Sequence, residues 1–559
     1  MTDRDTGQKT SSTTGEKIGR VVSVSGARAT VLLDPGLTGG NGANGNGKGI
    51  AAREGALHAL QIGSLLKIPT ANTLVFGMVA SLSIPDPSAD GEGSEMCVLE
   101  MELVGEGEVA DESEAGGGSL IFRRGVSRSP TLGDEIYAVT ADELAQVYAR
   151  PNIECANVGT IFQDQSLAAY VAVDNLLGKH FAILGTTGCG KSCAVATILR
   201  SILERHGEGH VLVMDLHDEY GRAFDDCAVT LGQENLKLPY WLLNAEELVE
   251  VIIEKGVDRE MDKTILRDAV VAAKKAQHGG EEVEARFSAD SPVPYRMTEL
   301  LRFLDVAMGK LDKPTDSIPY FRLRNRINTL RADKRFNFMF EERLNLTDDM
   351  TDILAQMFRI PTDGKPITIL DLSEVPTDIL NVVISLICRL TFDFALWSER
   401  DTPILLVCEE AHRYASQDET TGFAPTKRAL SRIVNEGRKH GVSVAIISQR
   451  PSEMALGILS QCNTVFAMRM SNLKDQEFVL GTLSESSRGL IESLPSLRTG
   501  EAIAVGEGVS VPMRLQFTLL PEAQRPTSGT AAFSAAWKEG GRGKDYVADI
   551  IERWSRQRR

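Results

Sequence analysis

From Lys17 to about Ala149 the chain alternates apolar and polar positions with the period of a strand. In KIGRVVSVSGARATVLL two short alternating runs meet at Ser25-Gly26, a hairpin signal. SLLKIPTANTLVFGMVASLSI and MCVLEMELVG read as further strands, and LGDEIYAV closes the set. Several short strands punctuated by turns predict a small β-barrel domain over 16–155, preceded by a disordered tail over 1–15. Two interruptions do not belong in its core. GLTGGNGANGNGKG reads as a flexible loop, and GEGEVADESEAGGG as a solvated acidic excursion.

From about Gly159 the pattern becomes α/β. Candidate central strands are FAIL, HVLVMDL, ITILDL, ILLVC, VSVAIIS, TVFAM and EAIAV. The long helical stretch between the second and third is too large for a crossover, so it reads as an inserted helical subdomain over 244–362. The nucleotide-binding core then comprises 156–243 and 363–520. A C-terminal extension over 521–559 carries the basic-tailed helix DYVADIIERWSRQRR.

Candidate chemistry begins at FAILGTTGCGKSCAVATILRSIL. Gly185, Gly190, Lys191 and Ser192 satisfy G-x-x-x-x-G-K-[ST] between a short apolar run and a helical pattern. Glycines let backbone N–H groups surround phosphate oxygens, Lys191 places a charge on the β- and γ-phosphates, and the Ser192 hydroxyl ligates Mg²⁺. The helix directs its positive end at the same phosphates. The ATP-binding segment is therefore Gly185, Thr186, Thr187, Gly188, Cys189, Gly190, Lys191, Ser192 and Cys193.

Such a loop needs a carboxylate near Mg²⁺ and a group to orient the attacking water. Three apolar strands end in acids, at Asp215, Asp371 and the pair Glu409-Glu410. Only the pair lets one acid address the metal and the other the water, which assigns Glu409 to Mg²⁺ and Glu410 to water. Asp215 and Asp371 also fit turn formation after a strand. Gln449, at the tip of VSVAIISQR, is placed to sense a γ-phosphate or to sit in an ordinary loop. Arg438 is a charge-stabilising finger or a solvated helix-end cation.

At 559 residues the chain suggests three or four domains. Its net charge of −17 argues against a uniformly basic DNA-coating surface. Eleven Asp/Glu between Ile84 and Leu120, with no Lys or Arg, account for much of it and leave −6 elsewhere. The eight cysteines are scattered without a C-x-x-C pair; Cys189 and Cys193 read as space-fillers, and a reduced, cytoplasmic setting fits. No apolar run reads as reaching the length of a membrane span. FRLRNRINTLRADKR reads as a helix burying Phe321, Leu323, Ile327 and Leu330 beneath a solvated basic face.

ILGTTGCGKS, DLHDEYG, LPYWLLNAEEL, CEEAHRY, EGRKHGV, SQRPSEM and SQCNTVFAMRMSN follow one another as in the HerA-like ATPases, relatives of FtsK-type motors, and the chain resembles that family from about Lys17 to Leu520. The resemblance implies a RecA-like P-loop core behind a HAS-barrel-like domain. It implies a homo-hexamer with ATP sites between subunits and double-stranded DNA in the central channel. Lys191 and Ser192 match the phosphate and Mg²⁺ positions, Glu410 the catalytic glutamate, Asp215 the second acidic motif and Gln449 the sensor. Arg438 matches a motif arginine near the nucleotide. Lys179 matches a basic position that reaches the neighbouring subunit's nucleotide, although Lys lacks the bidentate fork of Arg. Glu409 departs from the Asp usual in such strands. An effector is implied on the barrel: a NurA-type nuclease in end processing, or a sirtuin-like or nuclease effector in phage defence. Two other readings are an ATP-stabilised hexameric scaffold and a soluble secretion or conjugation motor.

Overall fold

The computed structural model describes residues 15–34, 60–70, 73–84, 96–109, 120–232, 234–253, 259–278, 287–311, 314–341, 350–418, 423–482, 488–527, 533–539 and 543–556. The Gly-rich loop over 36–49, most of the N-terminal tail and the acidic residues 110–119 lie outside these.

The first sheet has seven strands: β1 (Lys17–Ser25), β2 (Arg28–Leu33), β3 (Leu65–Pro69), β4 (Thr73–Ser83), β5 (Val98–Val109), β6 (Leu120–Arg124) and β7 (Glu135–Ala138). Gly26 turns the first hairpin at φ +59°, a conformation a side chain disfavours. The order β2-β1-β7-β3-β4-β5 closes through β2–β5 pairing, giving the expected barrel, with β6 added outside β5. Strand period two divides the faces. Val75 and Val79 of β4 fill the barrel, whereas Phe76 and Met78 join the core of the second sheet. Gly105–Val109, expected in the acidic loop, instead continue β5 and pair with β6. The short β6 was not expected.

The second sheet has eleven strands: β8 (Cys155–Ile161), β9 (Ala168–Ala172), β10 (Phe181–Leu184), β11 (His210–Asp215), β12 (Ala228–Leu231), β13 (Ile367–Asp371), β14 (Ile404–Cys408), β15 (Val442–Ser448), β16 (Thr464–Met468), β17 (Glu501–Gly506) and β18 (Met513–Phe517). Their order is β12-β13-β11-β14-β15-β10-β16-β17-β18-β8-β9. The strands from β12 to β16 in that order run parallel, and β16 onward pair antiparallel. EAIAV is thus β17 of the antiparallel extension, not a parallel central strand. The four-residue edge strand β12 escaped detection because its run is too short to show a period.

Between β12 and β13 the chain is mainly helical, with helices Ala245–Ile252, Arg259–His278, Met297–Met308, Ile318–Ala332 and Met350–Phe358. Leu323, Ile327 and Leu330 are buried as expected, but Phe321 is exposed. Arg322 and Arg324 of the same helix pair with Asp262 and Asp305, so part of its basic face is internally neutralised. Among the described residues one helix, Thr377–Trp397, is long and apolar enough to cross a membrane, contrary to the expected lengths, but most of it is buried within the fold. Its Arg389 pairs with the fully buried Glu247 at 2.8 Å.

Candidate nucleotide site

Parallel strands bring their carboxyl ends to one edge of the sheet. β10 ends in the Gly loop, β11 in Asp215, β14 in Glu409-Glu410, β15 in Ser448-Gln449 and β16 in Arg469. Positions far apart in sequence thereby become neighbours.

The loop has the shape its glycines allow. Gly188 and Gly190 adopt φ +74° and +102°. At Gly185 a Cβ would stand 2.8 Å from Cys189 Sγ and 2.9 Å from Met468 Cβ. Cys189 is fully buried, and burial pushes its thiol and that of Cys193 upward, as suits packing residues. The Thr186 N–H and hydroxyl both donate to Arg469 O at 3.0 Å, fixing the loop to β16. Lys191 Nζ donates to Thr186 O at 3.1 Å, and the helix Lys191–Leu203 begins there.

Around Ser192 stand three acids. Its hydroxyl donates to Glu219 Oε2 at 2.5 Å. Asp215 is fully buried and accepts from the N–H groups of His217 at 3.1 Å and Tyr220 at 2.9 Å, so it both shapes its turn and belongs to the site. Glu409 accepts from the Tyr220 hydroxyl at 3.3 Å. Burial, with Asp215, Glu219 and Glu410 nearby, drives the Glu409 carboxyl well above the usual carboxylate range. Its Oε2 is buried without a hydrogen-bond partner. An orphaned oxygen among crowded acids beside a loop hydroxyl suits a hard divalent cation. Among the described residues no three His, Cys, Asp or Glu side chains form a ready cage. Asp371 lies outside this group and accepts from Ser373 N at 3.0 Å, the turn role alone.

Glu410 points into a second network. Its backbone is left-handed, φ +47°, uncommon for a residue with a side chain. The Gln449 amide donates to Glu410 Oε1 and accepts from the Thr187 hydroxyl, linking the loop to the acid. A cleft of about 930 Å³ opens beside Glu410 and Gln449.

Lys179 and Arg438 are not brought to this edge. Lys179 precedes β10 at its amino end and pairs with Glu507. Arg438 is exposed just before β15. It lines an apolar cavity of about 700 Å³ with Leu177, Leu199 and Ile202. Sequence reasoning missed Glu219, Tyr220 and His412, although DLHDEYG and CEEAHRY contained them; strand-end position singles out only the first acid of a turn.

The family model described as "Helicase HerA, central domain" matches residues 156–391. DNA double-strand break repair helicase HerA of Pyrococcus furiosus is 26% identical over 475 residues, covering 76% of this chain and 78% of that protein. The protein of the same name from Saccharolobus solfataricus is 29% identical over 345 residues, covering 60% and 64%. Among solved structures, VirB4 of Thermoanaerobacter pseudethanolicus superposes with a TM-score of 0.47 at 15% identity, covering 67% of this chain and 99% of that one. The loop, the acids and Gln449 share one edge of a parallel sheet, and over most of its length the chain is similar to these HerA helicases.

Proposed function

We propose that the chain hydrolyses ATP to move along double-stranded DNA as a hexameric, cytoplasmic ring. The hydrolytic part rests on one observation: Gln449 joins Thr187 of the phosphate loop to Glu410. A phosphate in the loop and a water at Glu410 then meet across a single amide. The DNA assignment rests on the helicase relatives.

Lys191 and the loop N–H groups hold the β- and γ-phosphates. Ser192, Asp215 and Glu409 would hold Mg²⁺, which would supply positive charge beside the phosphate oxygens. Glu410 orients the attacking water and takes its proton as the water oxygen bonds to the γ-phosphorus. The bond to the β-phosphate's bridging oxygen breaks, giving ADP and phosphate. Gln449 holds the Glu410 carboxylate on one side. Lys179 and Arg438, on the opposite edge of the sheet, serve a neighbouring subunit's nucleotide. An effector, a NurA-type nuclease or a sirtuin-like or nuclease defence enzyme, docks on the barrel.

The test is steady-state ATP hydrolysis by the purified protein with and without linear duplex DNA, with assembly followed by light scattering and Lys191→Ala as the blank. Hexamers whose turnover rises with duplex are the expected result. A monomer without turnover would overturn the ring and the site together. Glu410→Gln separates a motor from a scaffold, since a scaffold keeps its effector working without hydrolysis.

A further inference from the structure

The two oxygens of the Glu410 carboxylate have unlike surroundings. Oε1 accepts from Gln449. Oε2 is buried without a hydrogen-bond partner, and His412 Nδ1 lies 3.3 Å from it, near but outside hydrogen-bond geometry. The backbone creates this approach. From left-handed Glu410 the chain enters a single tight turn, Ala411–Arg413, closed by Arg413 N donating to Glu410 O at 2.9 Å. His412 therefore lies two residues on, its ring nitrogen beside the acid. On its other side, Nδ1 is 3.3 Å from Ser448 Oγ. Ser448 is fully buried at the end of β15, and its oxygen accepts from Arg450 N at 3.1 Å.

We propose that His412 is a positioning residue of the hydrolytic site: a small turn of its ring away from Ser448 Oγ brings Nδ1–H onto the unpartnered Glu410 Oε2 and fixes the plane of the Glu410 carboxylate against the attacking water. This rests on the reading of Glu410 as the residue that activates water. The physical need is plain. Glu410 is only 4% exposed, so water stabilises its charge poorly, and protein donors must do so. Gln449 supplies one donor, and the turned His412 ring supplies the second to the oxygen left unpartnered. A carboxylate held at both oxygens cannot rotate, which is what a defined water position requires. His412 acts here as a neutral donor. Burial lowers its pKa from 6.5; Glu410 and Glu453 oppose that effect, and Arg450 and Arg413 add to it. Asn supplies an N–H near the Nδ1 position without the ring, which makes a rescue test possible.

The experiment measures kcat, KM and the affinity for a fluorescent ADP analogue in the full chain with Mg²⁺. The variants are His412→Ala, His412→Phe, His412→Asn and Glu410→Gln, each checked by its thermal transition. His412→Ala and His412→Phe are expected to lower kcat by about tenfold or more, with KM and ADP affinity within about twofold. His412→Asn is expected to recover most of that loss. Unchanged kcat in His412→Ala, or a His412→Asn as slow as His412→Phe, would overturn the proposal, because ring packing rather than the donor would then matter. Should His412→Ala lose its thermal transition, the comparison of Phe with Asn decides. Glu410→Gln separates the failures: turnover retained there sinks the reading of Glu410 itself, whereas an inactive Glu410→Gln beside a fast His412→Ala sinks only the role of His412.

Discussion

Gln449 has one amide and uses both ends of it, the oxygen for Thr187 and the nitrogen for Glu410. Replacing it by Ala should lower kcat by about tenfold or more while nucleotide affinity changes little, because the loop that binds phosphate is left intact. Single-turnover hydrolysis beside an equilibrium binding titration checks this, and a loss confined to affinity would refute it. His180 illustrates a residue whose charge state the fold dictates. It is 1% exposed, its Nδ1 accepts from Val444 N at 3.0 Å, and its Nε2 stands 3.1 Å from Val434 O, the pattern of a neutral ring. Burial lowers its pKa from 6.5 to about 4, opposed by Val434 and aided by Arg438. The unfolded chain thus binds a proton in that window when the native protein does not. Stability from this group is complete above 6.5 and falls as the pH drops toward 4. Urea midpoints across that range should show a steeper loss for the parent than for His180→Asn; parallel curves would remove His180 as the cause.

At the scale of elements, the site depends on strands being parallel and on their ends being in register. Leu184 of β10 pairs with Ser448 of β15 and Ala467 of β16, which puts Gly185 beside Gln449 and within reach of Arg469. A buried ion pair joins the helical stretch after β12 to the helix Thr377–Trp397. Glu247 caps the helix Ala245–Ile252 and also binds Arg389 and Ser385 of the helix Thr377–Trp397. Removing only the acid leaves a largely buried guanidinium with Leu242 O and the more distant, part-exposed Asp393 carboxylate as its remaining partners. Glu247→Ala should therefore cost about 3 kcal/mol in urea unfolding. Glu247→Met with Arg389→Met should recover much of it. A Glu247→Ala midpoint equal to the parent's would show the pair to be dispensable.

For the whole molecule the decisive geometry is separation. The loop and its acids occupy the carboxyl edge of the sheet, whereas Lys179 and Arg438 occupy the amino edge. In the proposed ring, the cations of one copy would serve the nucleotide of the next. Lys191→Ala and Arg438→Ala should each be nearly inactive alone, yet regain hydrolysis when mixed and reassembled, because some interfaces then join an intact loop to an intact arginine. A mixture no more active than its parts would exclude Arg438 as a shared residue, and a fully active Arg438→Ala would do so at once.

The sequence by itself determined the local features. A Gly-rich turn between a strand and a helix needs no distant partner, so the loop from Gly185 to Cys193 was legible, as were the hairpin at Ser25-Gly26 and the strands that end in acids. It also offered Gln449, with an ordinary loop as the stronger reading of that position alone. Only the tertiary structure shows Gln449 between Thr187 and Glu410, because 262 residues separate Thr187 from Gln449 and only strand order brings them together. The same holds for Glu219 at Ser192 and for His412 beside Glu410, whose roles depend on turns rather than on periodicity. The direction of β17 and the existence of β12 were likewise hidden, since pairing partners, not hydrophobic pattern, set whether a short apolar run is parallel, antiparallel or a strand at all.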